Sequence, residues 1–330
     1  MAPLQILPRR CRPVIPSVLV ALLLAGCGAG SSSTAPEGTF PATVTHRYGQ
    51  TVVEETPERV VALGPTDQDA ILALGTVPVA VRQLAGSPAV GPWAADRLQG
   101  EQPEVLPAGE VTPDAVAELE PDLIVAISAG LTREQYDAFA AIAPTVVAPD
   151  GVADGAVPWQ DATRATGAAL GLPGEANQLV RQVEDDFLDV EESHPELAGA
   201  TVAAVRPSST DTASFTAWSS QDLRGRFLTD LGMQLPEEVD QLAGPNLYAT
   251  MPADQLTTLD RADVLMVDGT EAERAAIAAL PGYGQLNLVQ QSKVVTLDDE
   301  QSAALAFNTV LSLPSVLSEL SGRIANAVER

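Results

Sequence analysis

Apolar residues recur with a helical period over one long mid-chain stretch, and short strand-like patterns flank it on both sides. Within Gly174–Ser193 the apolar positions follow three- and four-residue spacings, at Ala176, Leu179, Val180, Val183, Phe187 and Val190. This pattern predicts an amphipathic helix of about 20 residues, which is about 30 Å long. Such a helix either covers the surface of one domain or connects two lobes.

The chain before this helix repeats a strand–helix–strand pattern. Its predicted elements are a strand pair at Val44–Tyr48 and Gln50–Val53, strands at Val60–Leu63, Val77–Val81, Leu123–Ile127 and Thr145–Val147, and helices at Asp67–Leu74, Thr132–Ile142 and Pro158–Leu170. Gly and Pro residues occur in the predicted turns between these elements. Because a crossover helix joins parallel strands, we expect a parallel sheet here.

A similar pattern resumes after the long helix. It predicts strands at Thr201–Val205, Thr212–Thr216 and Val294–Leu297, and helices at Asp222–Leu231 and Leu313–Val328. Leu119–Val125 and Leu259–Leu265 also share one order of helix end, Asp and buried strand. Two similar halves around one helix favour an α/β fold with two Rossmann-like α/β lobes joined by one long α-helix. The family resemblance described below implies that this helix is rigid and that a ligand cleft lies between the lobes.

The N-terminus carries a targeting signal. Arg9, Arg10 and Arg12 precede the apolar run Val18–Ala25, which is too short to span a membrane as a mature helix. Leu24–Cys27 then resembles a bacterial lipobox, which implies acylation of Cys27 and stable membrane attachment. We therefore expect a signal peptide over residues 1–26, a flexible tether over 27–38, an N-terminal lobe over 39–172, a linking helix over 173–194, a C-terminal lobe over 195–311 and a closing helix over 312–330.

Charge and composition exclude several kinds of function. The net charge of −26 argues against nucleic acid as a partner, because phosphates would be repelled. The two histidines, His46 and His194, are far apart in sequence, and both cysteines lie in or directly after the signal peptide. Clusters of His and Cys suited to a transition metal are therefore absent from the sequence. The segment Ala126–Gly130 lacks the first glycine of a serine-hydrolase elbow. We expect no catalytic residue, no direct metal site and no cofactor.

Several sequence segments, taken together, resemble those of the helix-linked (class III) substrate-binding proteins of ABC importers. Within that family they are similar to the iron–siderophore, FecB/FhuD-like branch of actinobacterial type. The matching segments are Glu58–Arg82, Glu120–Pro144, Pro158–Gln160 and Ser312–Ala327. The resemblance covers nearly everything after the tether. It implies capture of an Fe(III)-siderophore in the cleft between the lobes, with only small lobe movements.

Candidate ligand contacts follow from this resemblance and from the strand ends. In open α/β sheets, ligands bind beyond the carboxyl ends of strands, and a bulky, partly aromatic, often anionic chelate suits arginine and aromatic side chains. Each tryptophan could instead pack in the core, and each arginine could form a surface ion pair. The candidates are Arg82, Trp93, Ser128, Gly130, Leu131, Trp159, Arg206, Trp218, Arg224, Tyr248 and Asn308.

The sequence departs from its relatives at two turns. Catecholate-binding relatives commonly carry arginine where this chain has Gly130–Leu131 and Gly269. This difference shifts the expected ligand from a tris-catecholate toward a hydroxamate, mixed-ligand or near-neutral chelate. Relatives also carry one acid per lobe that meets an arginine of the permease, and Asp69 and Asp222 are the candidates for that role.

The resulting expectation is a monomeric substrate-binding lipoprotein of an ABC importer. It would capture a ferric siderophore at the extracytoplasmic face of the cell membrane, attached by its lipid anchor only, and deliver the ligand to a permease and its ATPase. The alternatives are a cobalamin or haem receptor of the same fold, a non-transport interaction lipoprotein, or a metal-dependent hydrolase. The scarcity of His and Cys opposes the last of these.

Overall fold

The computed structural model describes residues 38–208, 211 and 213–330, and these residues form two five-stranded sheets with surrounding helices. The predicted signal peptide, Cys27 and most of the predicted tether lie outside the described residues. Among the helices that are described, none is both long enough and apolar enough to span a membrane.

The N-terminal sheet is entirely parallel, with strand order β5-β4-β3-β6-β7, and a separate antiparallel hairpin, β1–β2, precedes it. The strands of the N-terminal half are β1 (Ala42–His46), β2 (Gly49–Val53), β3 (Val60–Ala62), β4 (Ala80–Arg82), β5 (Glu104–Leu106), β6 (Leu123–Ala126) and β7 (Thr145–Val147). Its helices are α1 (Asp67–Ala73), α2 (Pro113–Ala117), α3 (Arg133–Ala140) and α4 (Trp159–Ala169). Strands β3, β6 and β7 are buried at every position, as expected for a parallel sheet that is covered on both faces.

The C-terminal sheet is mixed, with strand order β10-β9-β8-β11-β12. Its strands are β8 (Val202–Pro207), β9 (Ser214–Trp218), β10 (Tyr248–Pro252), β11 (Val264–Val267) and β12 (Val294–Thr296). Its helices are α6 (Leu223–Asp230), α7 (Glu237–Ala243), α8 (Glu271–Ala278), α9 (Asn287–Gln290), α10 (Asp299–Phe307) and α11 (Ser312–Val328). Strands β8, β11 and β12 are parallel to one another, whereas β9 runs antiparallel to both β8 and β10.

The long helix, α5 (Pro173–Ser193), packs against both halves of the molecule. Near its start, Ala176 belongs to the same apolar cluster as Val125 of β6. Further along, Phe187 lies in the C-terminal core, where its ring meets Phe227 edge-on with 5.9 Å between the ring centroids. The prediction of two α/β lobes joined by one long helix is therefore confirmed.

Several predicted boundaries differ from the observed ones. The strand predicted at Thr212–Thr216 begins instead at Ser214, because Asp211 forms a turn in which its carboxylate accepts hydrogen bonds from the Ala213 backbone N–H (2.9 Å) and the Ser214 hydroxyl (2.6 Å). The strand predicted at Val77–Val81 is shifted to Ala80–Arg82. Strands β5 and β10 were not predicted from the sequence.

Candidate ligand-binding cleft

Strands β8, β9 and β10 bring three of the predicted side chains together. In the observed register Arg206 lies opposite Thr216, and Trp218 lies opposite Tyr248. Directly opposed residues of antiparallel strands point to the same face of the sheet, and positions two apart on one strand also share a face. Arg206, Trp218 and Tyr248 therefore project from one face. The Trp218 and Tyr248 rings meet edge-on, with 5.8 Å between their centroids.

Two guanidinium groups approach the indole ring of Trp218. The guanidinium carbon of Arg224, in the first turn of α6, lies 4.2 Å from the ring centroid, and that of Arg206 lies 5.9 Å from it. Both distances are within the range of cation–π attraction. Trp218 is 8% exposed and Tyr248 is 48% exposed, so the tyrosine forms the accessible edge of this cluster.

Each of these arginines is also paired with carboxylates of the chain. Arg224 Nε donates to Asp268 Oδ2 (2.9 Å), and its Nη1 donates to Asp222 Oδ1 (3.3 Å). Arg206 donates to Glu273. Asp222 is also the N-cap of α6, where it accepts from the Arg224 backbone N–H (2.9 Å), so the cap fixes the start of the helix beside the cluster.

A groove between the two halves lies beside this cluster. It has a volume of about 570 Å³ and lies between Ala153–Asp154 of the N-terminal half and the segment 242–250, which ends in β10. A second pocket of about 240 Å³ is lined by Arg206, Trp218 and neighbouring residues, and it shares Tyr248 and Thr250 with the groove. We call the groove and this pocket the outer cleft. Small-molecule sites typically have volumes of about 300–1,000 Å³, so the outer cleft is large enough to hold one.

An inner cavity, of about 120 Å³, lies between α1, α4 and the end of α10. Three predicted site residues, Ser128, Trp159 and Asn308, line it. This volume is below the range of about 300–1,000 Å³ of typical small-molecule sites, so the outer cleft offers more room for a bulky ligand. Trp159 Nε1 and Thr166 Oγ1 border this cavity and have no hydrogen-bond partner among the described residues, which suits a hydrated interior.

The remaining predicted contacts have other roles or lie at the rim. Arg82 lines neither the outer cleft nor the inner cavity. Its guanidinium donates to backbone carbonyls, including that of Gly109 (2.7 Å), and burial lowers its pKa. The Leu131 carbonyl accepts from the Tyr48 hydroxyl (2.7 Å). Gly130, with a φ of +63°, faces Asp154 on the rim of the groove.

The structure does not support permease docking through Asp69 and Asp222, because both carboxylates are buried. Asp69 has no exposed surface, and its Oδ2 accepts hydrogen bonds from Trp93 Nε1 (2.7 Å) and from the Thr309 hydroxyl. Thr309 follows α10, so this carboxylate joins the two halves of the molecule. Trp93 also meets Phe307 edge-on at 5.1 Å between ring centroids. Asp222 is 4% exposed and forms the helix cap described above. Neither side chain can reach an arginine of another protein in this conformation.

Burial of Asp69 predicts an unusual pH dependence of stability. Burial raises its pKa from 3.8 to about 6, against the opposing effect of the two hydrogen bonds. Because the folded-state pKa is the higher one, the stabilising contribution is fully present below about pH 4 and is lost as the pH rises through 6. We expect Asp69→Asn, which keeps an accepting oxygen but cannot titrate, to remove this loss. The free energy of unfolding of the variant, relative to the unmodified protein, should rise by about 2 kcal/mol between pH 4 and pH 7.

Urea unfolding of both proteins across that pH range tests this expectation. Both proteins retain Asp67, whose pKa burial also raises to about 6, so the difference between their pH profiles isolates Asp69. Parallel pH profiles for the two proteins would show that the Asp69 carboxyl does not titrate in this range.

Several residues of the candidate site were missed by sequence reasoning. Asp154 borders the groove and pairs with Arg47, and Glu273 pairs with Arg206. Asp67 joins two strand ends by accepting from the backbone N–H groups of Ser128 (2.9 Å) and Gly64 (3.1 Å). Glu273 had a detectable signal, because Thr270 and Glu273 form a capping box at the start of α8, directly after β11.

The geometry defines a two-lobed ligand-binding protein with its cleft between the lobes. Among the described residues, no group of three or more His, Cys, Asp or Glu side chains is arranged to hold a metal ion.

Comparison with known proteins identifies the family. Residues 60–301 match the family described as periplasmic binding protein, and the chain belongs to that family. It is 27% identical over 271 residues to the probable siderophore-binding lipoprotein YfiY of Bacillus subtilis, covering 78% of each chain. A periplasmic solute binding protein of Mycobacterium smegmatis superposes with a TM-score of 0.77 and 32% identity, covering 87% of this chain and 98% of that one. The PiaA–ferrichrome complex of Streptococcus pneumoniae superposes with a TM-score of 0.72 and 26% identity, covering 87% and 99%.

Proposed function

We propose that this protein captures an Fe(III)-siderophore in the outer cleft and delivers it to the permease of an ABC importer. In this proposal Trp218 and Tyr248 contact the organic part of the chelate, and Arg206 lies at the wall of its pocket. Iron arrives as part of the substrate, coordinated by the siderophore, so no metal ligand from the protein is required.

The observation that carries the proposal is the cluster of two aromatic rings and two guanidinium groups beside the outer cleft. Aromatic residues make up 4% of the chain, so two of them meeting across neighbouring strands at a cleft is an unusual concentration. Rigid aromatic side chains bind a bulky ligand at low entropic cost, because few rotatable bonds are restricted. YfiY is named a probable siderophore-binding lipoprotein, and PiaA was solved in complex with ferrichrome, and both findings support the same class of ligand.

The proposal places the protein on the outer face of the cell membrane, held by lipid on Cys27. The support comes from the sequence, in which basic and apolar segments precede the lipobox-like Leu24–Cys27. Small and polar residues between Cys27 and the first strand would allow the binding domain to reach the permease. No role in delivery is assigned to Asp69 or Asp222, since both are buried.

Titration with a chelate panel tests the proposed function. The protein contains three tryptophans, and Trp218 and Trp159 line the outer cleft and the inner cavity respectively. A ferric chelate bound beside Trp218 absorbs in the range of tryptophan emission, so we expect saturable quenching by at least one ferric siderophore. The panel should contain hydroxamate, catecholate and mixed iron complexes together with haem and cobalamin.

Each result of the panel has a direct meaning. Saturable quenching of tryptophan emission by a ferric siderophore supports the proposal. In the control, a chelator that binds the protein weakly should cause no quenching when it carries no iron. Saturation by haem or cobalamin alone would replace it with a receptor for those ligands. A protein that binds no member of the panel is not a siderophore receptor, and an interaction lipoprotein would then be the better interpretation.

A further inference from the structure

The charges around the outer cleft are balanced within the chain. Arg206 is paired with Glu273, and Arg224 is paired with Asp222 and Asp268. On the opposite side of the groove, Arg47 is paired with Asp154 and also donates to the Val152 carbonyl (2.6 Å). Three arginines therefore face four carboxylates. Ser209, Thr210 and Thr212, which lie outside the described residues, are uncharged and do not alter this balance.

The pair between Arg206 and Glu273 has its guanidinium at the wall of the cleft. Arg206 lines the outer cleft, and its side chain is 28% exposed, compared with 13% for Arg224. Glu273 is held in place by a second set of contacts, because its Oε2 accepts from the Thr270 backbone N–H (2.7 Å) and from the Thr270 hydroxyl (3.0 Å). Burial alone would raise the pKa of Glu273, but these hydrogen bonds and Arg206 lower it, so the carboxylate is ionised at neutral pH.

A fixed carboxylate changes what Arg206 can recognise. An anionic ligand would have to displace Glu273 from the guanidinium or share that guanidinium with it. A guanidinium and a carboxylate in contact at a partly buried site attract each other strongly, so breaking the pair is costly and leaves the Glu273 carboxylate to repel the ligand. The net charge of −26 adds a further repulsion that salt screens only beyond about 8–10 Å.

The rest of the outer cleft suits an uncharged or cationic surface. Leu242 and Tyr248 are 60% and 48% exposed at the groove, and Pro245 and Leu247 also line it. Among the described residues that line the groove, Asp154 is the one with a charged side chain, and that side chain is 59% exposed. Exposed apolar side chains beside one carboxylate favour a ligand with apolar area and either no charge or a positive one.

We propose that the outer cleft selects an uncharged or cationic ferric chelate, and that Glu273 is the specificity-determining residue that excludes anionic chelates by neutralising Arg206. This inference rests on the proposed function. Three hydroxamate groups balance the charge of Fe(III) and give an uncharged complex, and a pendant ammonium makes that complex a cation. Three catecholate groups give a trianion. The proposed ligand class is therefore a ferric trihydroxamate, or another chelate of equal or more positive charge.

Calorimetric titration of the unmodified protein and two variants tests the inference. The chelates are an uncharged ferric trihydroxamate, the same class with a pendant ammonium, and a trianionic ferric tris-catecholate. The unmodified protein should bind one or both trihydroxamates at least about 100-fold more tightly than the tris-catecholate. Glu273→Gln keeps an oxygen for the capping box with Thr270 but frees Arg206, so it should narrow that ratio by about tenfold.

Glu238→Gln is the matched control. It removes one carboxylate from an exposed ion pair with Arg261. Arg261 precedes β11 and Asp268 follows it, so this ion pair lies at the other end of the strand from the cluster. Its chelate preference should equal that of the unmodified protein. If the unmodified protein binds the tris-catecholate most tightly, or if Glu273→Gln leaves the preference unchanged, the charge-selection inference is wrong while the siderophore function stands. If no chelate binds, the proposed function fails and the inference fails with it.

Discussion

Replacement of Trp218 by alanine is expected to weaken binding of the preferred ferric chelate by roughly 100-fold. The indole ring forms the centre of the cluster, with Arg224 at 4.2 Å, Tyr248 at 5.8 Å and Arg206 at 5.9 Å from its centroid. Its loss removes the ring against which the exposed Tyr248 ring and both guanidinium groups pack, so the wall of the cleft loses its support. Truncation of such a central aromatic residue typically costs about 2–4 kcal/mol of binding free energy, and each 1.4 kcal/mol is about a factor of ten. Calorimetry is the suitable method, because the variant lacks one of the fluorescent residues.

Two further variants separate a binding effect from a folding effect. Trp218 also belongs to the C-terminal core, so its alanine variant must be checked by circular dichroism and thermal unfolding. Trp218→Phe keeps an aromatic ring and should remain within about tenfold of the unmodified affinity. Tyr248→Ala removes a half-exposed ring and should weaken binding by about tenfold without lowering the melting temperature. A folded Trp218→Ala protein with unchanged affinity would place the ligand elsewhere.

Among the variants proposed for this protein, Gly167→Val is expected to cause the largest loss in the free energy of unfolding. Gly167 lies in α4 where this helix meets the linking helix, and a Cβ atom there would lie 2.2 Å from Ala176 Cβ and 3.1 Å from the Leu172 carbonyl oxygen. The neighbouring atoms are backbone or Cβ atoms, so they cannot move aside by rotating a side chain. Overpacking of this kind typically costs about 1–3 kcal/mol, and the extra methyl groups of valine place this variant at about 3 kcal/mol or above. Urea unfolding measures the change.

Gly174→Ala supplies the matched control for this prediction. Gly174 lies in the first turn of α5, and a Cβ atom there would meet nothing within 4 Å. Alanine at that position should leave the stability unchanged or raise it by about 0.5–1 kcal/mol, because it lowers the entropy of the unfolded chain. An unfolding midpoint for Gly167→Val equal to that of the unmodified protein would show that α4 and α5 do not pack as closely as described.

Elements defined by local pattern could be predicted closely from the sequence. The linking helix, predicted from its apolar spacing over Gly174–Ser193, occupies Pro173–Ser193. Thr145–Val147 has the predicted bounds, and Thr132 caps α3 through a capping box with Gln135. Each of these signals is contained within a few neighbouring residues. The family resemblance supplied the order of the lobes, which agrees with the observed pair of sheets.

Features that depend on distant residues could not be predicted. The antiparallel direction of β9 is set by pairing with β8 and β10, and only that pairing brings Trp218 opposite Tyr248. Strand β5 lies between Pro103 and Pro107 and has Glu104 at its start, so its local sequence is that of a loop. Asp69 has the pattern of an exposed helical acid, yet Trp93 and Thr309, 24 and 240 residues away, bury it. Local periodicity contains no information about such partners.

The arginine candidates show the same limit in their chemistry. Arg206 and Arg224 were selected for their charge, and the structure brings both to the same indole ring. Their partners Glu273 and Asp268 are 67 and 44 residues away along the chain, so the neutralisation of that charge is not visible in the sequence. It is this neutralisation, rather than the presence of arginine, that leads to the expectation of an uncharged or cationic chelate.

The most direct test of the central claim is the position of iron in crystals of the protein grown with its preferred ferric chelate, measured by anomalous diffraction at the iron absorption edge. We predict one iron peak in the outer cleft, beside the rings of Trp218 and Tyr248 and across the groove from Asp154. An iron peak at any other surface, or no peak despite tight binding in solution, would contradict the assignment of this cleft as the siderophore site.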